Sequence, residues 1–371
     1  MANPTRYHVG RFPPNNIDWS ALIPLLGPAA AAVARYDGML SAIPNVNVLL
    51  APLTTQEAVL SSRIEGTEAT MGEVFEFEAG HDSASPARRE DIHEVLNYRA
   101  AMREAEKMLR ELPISQRVVR GAHAVLLSGV RGANKAPGEY RRIPNWIGPP
   151  GCSIEQARFV PIDAAQLPEA MSLWERYAHS TPPDRLVKVA VLHAEFEALH
   201  PFLDGNGRIG RMLVPLFMWQ EQLIQQPMFY ISAYFEARRE EYYGHLLAVS
   251  EAEDWTGWCR FFLEAVQSQA EDNLSKAQAI LRLYEELKRE FAHVTRSHYA
   301  IQALDWIFAH PIFRPPVFVQ RAGIPDATAR RFVRVLRDAG VLQPLVEGSG
   351  RRAGVFALPA LLNAAEGREA S

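Results

Sequence analysis

Residues His200-Pro201-Phe202-Leu203-Asp204-Gly205-Asn206-Gly207-Arg208-Ile209-Gly210-Arg211 run directly into Met212-Leu213-Val214-Pro215-Leu216-Phe217-Met218-Trp219. A polar, glycine-studded turn that feeds an apolar run reads as a tight loop at the N-terminus of a buried helix. Such a terminus leaves N–H groups unpaired and carries the positive end of the helix dipole, so it is a ready anion site. Gly205 and Gly207 let the backbone come close to a phosphate. Arg208 and Arg211 can grip its oxygens. Asp204, an acidic residue beside such a site, is a natural Mg²⁺ ligand. His200 is the residue type best suited to take a proton near neutral pH.

The rest of the chain sets bounds on what surrounds that loop. At 371 residues it is too long for one small core and suggests two or three domains. Its 48% hydrophobic and 22% charged residues are ordinary for a soluble globular protein. A net charge of -4 excludes a globally basic nucleic-acid binder, though not a local basic patch. Only Cys152 and Cys259 are present, which argues against a disulfide framework and for a reducing cytoplasm. The stretch Met1–Tyr7 lacks the apolar core of a signal peptide, and no apolar run is long enough to span a bilayer. A cytoplasmic protein without membrane contact is expected.

Helical periodicity dominates, so the fold is read as mainly α. Apolar positions recur at spacings of three and four in Val95–Ala105 and in Leu186–Leu199. The best strand signals are Arg141–Ile147 and Arg158–Ile162. They flank Gly148-Pro149-Pro150-Gly151 and read as a hairpin. Residues 78–90, with Gly80, Ser83, Ser85 and Pro86, read as a linker. A long charged helix is expected from about Ala265, followed by a smaller, separable unit. That unit reads as helices Ala300–Phe308, Val317–Ala322 and Ala327–Ala339, with Gly340 as the stop. Strand-like arms at Val341-Leu342 and Gly354–Leu358 follow. Helix-turn-helix plus hairpin looks like a winged helix.

The loop that opened this reading matches, position by position, the Fic signature H-x-F-x-[D/E]-G-N-G-R-x-x-R, and the chain resembles the Fic family over about residues 8 to 270. The likeness continues through Leu49–Thr67. It implies a Fic-type helical bundle with a β-hairpin flap, plus the winged-helix unit. Expected boundaries are an N-terminal helical region at 1–90, a catalytic core at 91–270, a linking helix at 271–295 and the last unit at 296–371. The resemblance implies a protein adenylyltransferase that uses ATP and Mg²⁺. His200 would take the proton from a Ser, Thr or Tyr hydroxyl as that oxygen attacks the α-phosphorus and pyrophosphate leaves. Asp204 would hold the metal. The N–H groups of Gly205, Asn206 and Gly207 would form the nest, and Asn206 would also donate its side-chain amide to the α-phosphate. Arg208 would reach the β-phosphate and Arg211 the γ-phosphate. Ile209 and Gly210 complete the ATP-binding stretch, and Phe202 anchors the loop. The intact Asn-Gly-Arg favours adenylyl transfer over the kinase-like Doc branch. Removal of AMP by the same site, and a DNA-binding regulator whose Fic site senses nucleotide, are the alternatives.

Ser61-Ser62-Arg63-Ile64-Glu65-Gly66 matches the Fic inhibitory pattern [S/T]-x-x-x-E-[G/N]. Ser61 and Glu65 lie one helical turn apart, and Gly66 suits a helix C-terminus. A carboxylate on Arg211 would compete with the γ-phosphate. Tyr242 and Tyr243 resemble the pair that lies against the nucleotide, with core aromatics as the alternative, and Ser250 is an adenine-side candidate. Ile147 and Gly148 in the flap would run beside the target backbone by strand addition. His193 and His200, with Glu195 and Glu197 between them, invite a metal reading, but the spacing is not H-E-x-x-H and no third ligand is signalled. In the last unit Arg330, Arg331, Arg334 and Arg337 fall on the presumed recognition helix and Arg351 and Arg352 in the wing, which suits DNA or protein docking. The partners expected are a target protein, the chain itself through self-modification or a homodimer, and DNA.

Overall fold

The computed structural model describes residues 3–81, 84–149, 151–348 and 353–368. Along the chain run β1 (Thr5–Arg6), α1 (Trp19–Ala42), α2 (Val46–Leu49), α3 (Ala51–Ile64), α4 (Met71–Glu78), α5 (Pro86–Leu109) and α6 (Gln116–Leu126). A short 3₁₀ turn (Ile154–Gln156) and β2 (Phe159–Val160) precede α7 (Leu167–Ala178), α8 (Arg185–Leu199), α9 (Asn206–Gln220), α10 (Ser232–Ala237) and α11 (Arg239–Ala252). Then come α12 (Trp255–Thr295), α13 (Ala300–Ala309), β3 (Ile312–Phe313), α14 (Pro315–Arg321), α15 (Asp326–Asp338), β4 (Gln343–Val346), β5 (Val355–Ala357) and α16 (Pro359–Glu366). The protein is mostly helical, with two small sheets. Two compact units form: residues 1–37, 60–66 and 96–271 in one, and 38–59, 67–95 and 272–371 in the other.

The first unit is built on α8 and α9. Both are buried on nearly every face, which is why neither shows a clear polar side. The Asp184 carboxylate caps α8 by accepting from the Val187 N–H at 3.0 Å. The turn between the two helices is set by His200 and Gly205, both left-handed at φ 47° and 76°. Around them the flap is shorter than the expected hairpin. Among the described residues its two arms meet at the Ile147–Phe159 bridge, where Ile147 and Phe159 exchange backbone hydrogen bonds at 2.9 and 3.1 Å. Pro144, Pro149 and Pro161 have no N–H to extend that ladder. The second arm pairs instead with the start of the chain: β1 runs parallel to β2, with Thr5 opposite Phe159 and Arg6 opposite Val160.

In the second unit β3, β5 and β4 form an antiparallel sheet in that order. α13 packs on α2, and β3 on α4, so residues 296–368 share their unit with segments from the N-terminal part of the chain. α5 starts at Pro86, inside the stretch expected as a linker, because proline suits the first helical position. Ser83 of that stretch lies outside the described residues, as do Pro150, Arg351 and Arg352. On α15 the buried Ala329, Phe332, Val333 and Leu336 recur at three and four spacing. Its arginines are largely engaged by this chain. Arg330 faces Asp326 at 3.5 Å, Arg337 faces Asp338 at 2.7 Å, and Arg331 donates to the Thr295 carbonyl at 2.7 Å. Among the described residues no helix is long and apolar enough to cross a membrane.

Candidate active site

A cavity of about 610 Å³ in the first unit is lined by His200, Gly207 and Arg211 from the α8–α9 turn. Glu65, Ile147, Gly148, Glu197 and Tyr243 also face it. In the sequence these residues lie scattered from Glu65 to Tyr243, and the fold brings them to one wall.

His200 ends α8 in a conformation that costs a non-glycine residue about 1–2 kcal/mol. Its N–H still donates to the Phe196 carbonyl at 3.1 Å. The strain is held by Arg141, whose Nε donates to the His200 carbonyl at 3.0 Å and whose Nη2 donates to Leu199 at 3.3 Å. The ring is half-buried, and its Nδ1 has no hydrogen-bond partner among the described residues. Burial pushes its pKa down to about 4 despite the opposing pull of Glu65, so the ring is neutral at pH 7 and able to accept a proton. Strain held in place by neighbours is typical of functional positions.

The turn after His200 is shaped by residues that the sequence reading passed over. The Gly138 N–H donates to His123 Nδ1 at 2.8 Å, which fixes the other nitrogen, Nε2, as the donor to the Asp204 carbonyl at 2.9 Å. Burial lowers the His123 pKa to about 4, consistent with that neutral ring. His123 also stacks on Phe202 with centroids 3.6 Å apart. The Asn206 side chain is turned back on the loop. Its Oδ1 accepts from the Phe202 N–H at 2.8 Å and its Nδ2 donates to the Phe202 carbonyl at 2.9 Å. This corrects the expectation that the Asn206 amide is aimed at an α-phosphate: what Asn206 offers an anion is its backbone N–H. Asn145 Nδ2 adds a bond to the same carbonyl at 3.1 Å. Arg141, Asn145 and His123 carry no motif, so only their position in the fold reveals them.

Asp204 stands at the loop with its side chain 40% exposed, 3.3 Å from Arg208 Nη2. Among the described residues no group of three or more His, Cys, Asp or Glu could hold a metal ion. Mg²⁺ needs less from a protein, since it is often held by one or two carboxylates together with phosphate oxygens and water. A single exposed carboxylate beside an anion nest fits that donor set.

Arg211 is fully buried. Its Nε donates to Ser61 Oγ at 3.0 Å, and its Nη2 to the Ser61 carbonyl at 2.8 Å and to Glu65 Oε1 at 2.6 Å. Burial works against the charge on Glu65, but Arg211 outweighs it, with help from Arg208, and holds the carboxyl below its ordinary range. Gly66, at φ 100°, ends that segment in a conformation that suits glycine. A Cβ on Gly207 would overlap Glu65 Oε1, so the carboxylate lies on the first turn of α9 itself. Ile209 and Gly210 are buried in that helix.

The tyrosine pair divides. Tyr243 lines the cavity, with the Arg239 guanidinium 5.9 Å from its ring centroid, and burial raises its hydroxyl to about 12. Tyr242 is fully buried, away from the cavity wall. His193 Nδ1 donates to the Gly210 carbonyl at 2.9 Å, so its Nε2 accepts from the Tyr242 hydroxyl at 2.9 Å. Tyr242 is therefore core, and both His193 nitrogens are engaged inside the protein. Ser250 is also elsewhere. Its Oγ meets His8 Nδ1 at 2.8 Å, inside a buried cluster in which His8 Nε2 sits 2.9 Å from Glu195. Ser250 is buried and does not line the cavity.

Residues 23–107 match the Fic/DOC family N-terminal profile, and residues 113–218 match the Fic/DOC family profile. The chain is 24% identical over 208 residues to the protein adenylyltransferase Fic of Drosophila ananassae, which covers 55% of this chain and 38% of that protein. The chain thus spans little more than a third of that relative. Its fold is similar to a crystallised Fic family protein from Desulfovibrio desulfuricans G20, with TM-score 0.60, 20% identity, and coverage of 93% of this chain and 98% of the other. It is also similar to a Fic domain-containing signalling protein from Bacteroides thetaiotaomicron, with TM-score 0.56, 17% identity, and coverage of 69% and 97%.

Proposed function

This chain belongs to the Fic/DOC family, and we propose that it moves AMP from ATP to a Ser, Thr or Tyr hydroxyl of a target protein, with Glu65 as a built-in restraint. The observation that carries the reading is the meeting, in one cavity, of a neutral His200 with an unpartnered Nδ1 and the glycine-lined start of α9. The name of the Drosophila relative points the same way.

On this reading His200 takes the proton of the target hydroxyl. The freed oxygen bonds to the α-phosphorus, the bond from that phosphorus to the bridging oxygen breaks, and pyrophosphate leaves. General-base help of this kind is worth about a hundred- to ten-thousand-fold. The N–H groups at the start of α9 would hold the phosphates, with Arg208 and Arg211 on the outer ones. Mg²⁺, held by Asp204 and phosphate oxygens, would supply charge neutralisation. Ile147, 38% exposed at the cavity wall, would align the target backbone. Glu65 occupies the guanidinium that the γ-phosphate needs. Because it is engaged inside the cavity, removal of AMP is the second reading.

The order helix, strand, helix, helix, strand, strand across residues 300–357 supports reading the last segment as a winged helix. Three of the four arginines on α15 are met by acceptors of this chain, which favours protein docking over contact with DNA phosphates.

The test is label transfer into lysate and into the chain itself, followed by mass spectrometry. Label from α-phosphate-labelled ATP is expected on protein, and label from γ-phosphate-labelled ATP is not. Recovery of γ-label alone would move the chain to kinase chemistry.

A further inference from the structure

Gly207 and Gly210 are three residues apart on α9 and so share one face, neighbours at about 5–6 Å. Each lacks a Cβ for a visible reason. A Cβ on Gly207 would overlap Glu65 Oε1, and a Cβ on Gly210 would overlap Glu197 Oε1. Two carboxyl groups therefore lie side by side on one bare helix face, with the buried Arg211 following them. Glu65 has the guanidinium at 2.6 Å. Glu197 Oε1 is buried and has no hydrogen-bond partner among the described residues, although the residue lines the cavity.

We infer that Glu197 is a nucleotide-positioning residue: it is the protonated member of a carboxyl pair with Glu65, and its O–H is the donor offered to the phosphate that replaces Glu65. The inference rests on the nucleotide-binding reading above. Burial takes the Glu197 carboxyl out of water with no partner for Oε1, the Glu65 carboxylate adds to that penalty, and an arginine already paired with Glu65 does not offset the burial.

The surroundings agree. Arg211 on α9 favours ionisation of Glu197, while burial and the Glu65 carboxylate oppose it more strongly, and the group is raised to about 8. Tyr242 and Tyr243 on α11 face it as neutral hydroxyls, both raised first of all by burial. On α8 itself His193 and His200 are neutral, both lowered by burial. Among these neighbours Arg211 is the one cation. Replacing Glu65 by a phosphate leaves at least as much negative charge beside Glu197. The acid form is then favoured further, and binding takes up a proton when the pH lies near or above 8.

The test is binding of ATP and of inorganic tripolyphosphate, each with Mg²⁺, by calorimetry between pH 7 and 9. In the wild type, affinity for both should fall about tenfold over that range, the behaviour of one linked proton. At pH 8, two buffers of different ionisation enthalpy should report uptake of a fraction of a proton. Glu197→Gln, which keeps the shape and a donor, should flatten both readouts to within about twofold. Glu65→Gln leaves Glu197 in place but removes its repelling neighbour, so the fall should begin at lower pH. ATP binding with the same pH profile in wild type and E197Q would overturn this inference and leave the adenylyl-transfer reading standing. The pH effect with tripolyphosphate but no ATP binding would do the reverse. Binding of neither anion would overturn both.

Discussion

At His8 both ring nitrogens are engaged, by Ser250 Oγ at 2.8 Å and Glu195 Oε2 at 2.9 Å, and the Tyr7 hydroxyl completes the cluster with a 2.6 Å bond to Glu195 Oε1. At His200 the buried Nδ1 makes no well-formed hydrogen bond among the described residues, with only the Glu197 backbone drawing on the ring, and the backbone is held left-handed. The two sites use the same side chain, and both place it against carboxylates. The first is saturated: each polar group serves another, and His8, Glu195 and Ser250 are all buried. The second is left deliberately incomplete, with one acceptor free and a wall open to a ligand. Saturation makes a fold rigid. Incompleteness, held in place by Arg141 and His123, makes a site.

The contrast breaks most clearly at its two extremes. His200→Ala should retain the thermal transition and lose AMP transfer from α-labelled ATP by about a hundred- to ten-thousand-fold. Glu195→Ala should do the opposite kind of damage, lowering stability by about 1–3 kcal/mol because His8, buried, and Tyr7, half-buried, are each left with one partner gone. Denaturant melts paired with label transfer separate the two. If Glu195→Ala abolished transfer at an unchanged melting midpoint, the distinction between saturated and open clusters would be wrong.

A second test acts on the restraint. Glu65→Gly should free Arg211 and raise self-labelling about ten- to a hundred-fold, the equivalent of about 1.5–3 kcal/mol for a charged hydrogen bond. Arg211→Ala should not reproduce that gain, since it deletes the contact Glu65 blocks. Unchanged ATP affinity and unchanged labelling in E65G would make Glu65 an ordinary structural carboxylate.

Glu197 sharpens the comparison through pH. Its pKa is raised from 4.5 to about 8 in the native state. As pH rises from about 4.5 to 8 the unfolded chain releases this proton and the folded chain keeps it, so native stability declines across that window. Glu197→Gln should therefore melt close to the wild type near pH 5 and progressively above it toward pH 8.5. A difference that stays constant with pH would show that the carboxyl ionises normally in the fold.

The smallest effect is expected at the tyrosine pair. Tyr242→Phe should cost about 1 kcal/mol, one buried hydrogen bond, and leave nucleotide affinity alone. Tyr243→Ala should weaken nucleotide binding without a comparable loss of stability. Equal effects on ATP affinity would return Tyr242 to the site.

How much of this the sequence held follows the range of the interactions. The 200–211 loop and the helices around it were legible because their determinants are local: glycine at a left-handed turn, apolar residues ahead of it, an Asp cap at 184. The helices from Ala300 to Asp338 were legible from their periodicity for the same reason. Tyr242 could not be told from Tyr243, since adjacent residues on a helix point about 100° apart and only packing decides which one meets the core. The engagement of Ser250 could not be read, because its partner, His8, lies 242 positions away. The pairing of β1 with β2 is long-range and only two residues long, too short to carry a periodic signal. Glu197 entered the sequence reading only as a carboxylate between His193 and His200 that invited a metal site. Its meaning depends on what Gly207 and Gly210 lack.

That two-residue pairing has a consequence for how the protein is handled. Phe159 is bound on one side by Thr5 and on the other by Ile147. The first residues of the chain are therefore mechanically in series with the lip of the groove. Length or sequence changes ahead of Tyr7 tug on the edge where a partner would dock, while the phosphate end of the cavity is anchored elsewhere. An affinity tag placed there is not a neutral handle. A tag ahead of Tyr7 is expected to alter target affinity more than nucleotide affinity, which paired measurements on tagged and untagged protein would check.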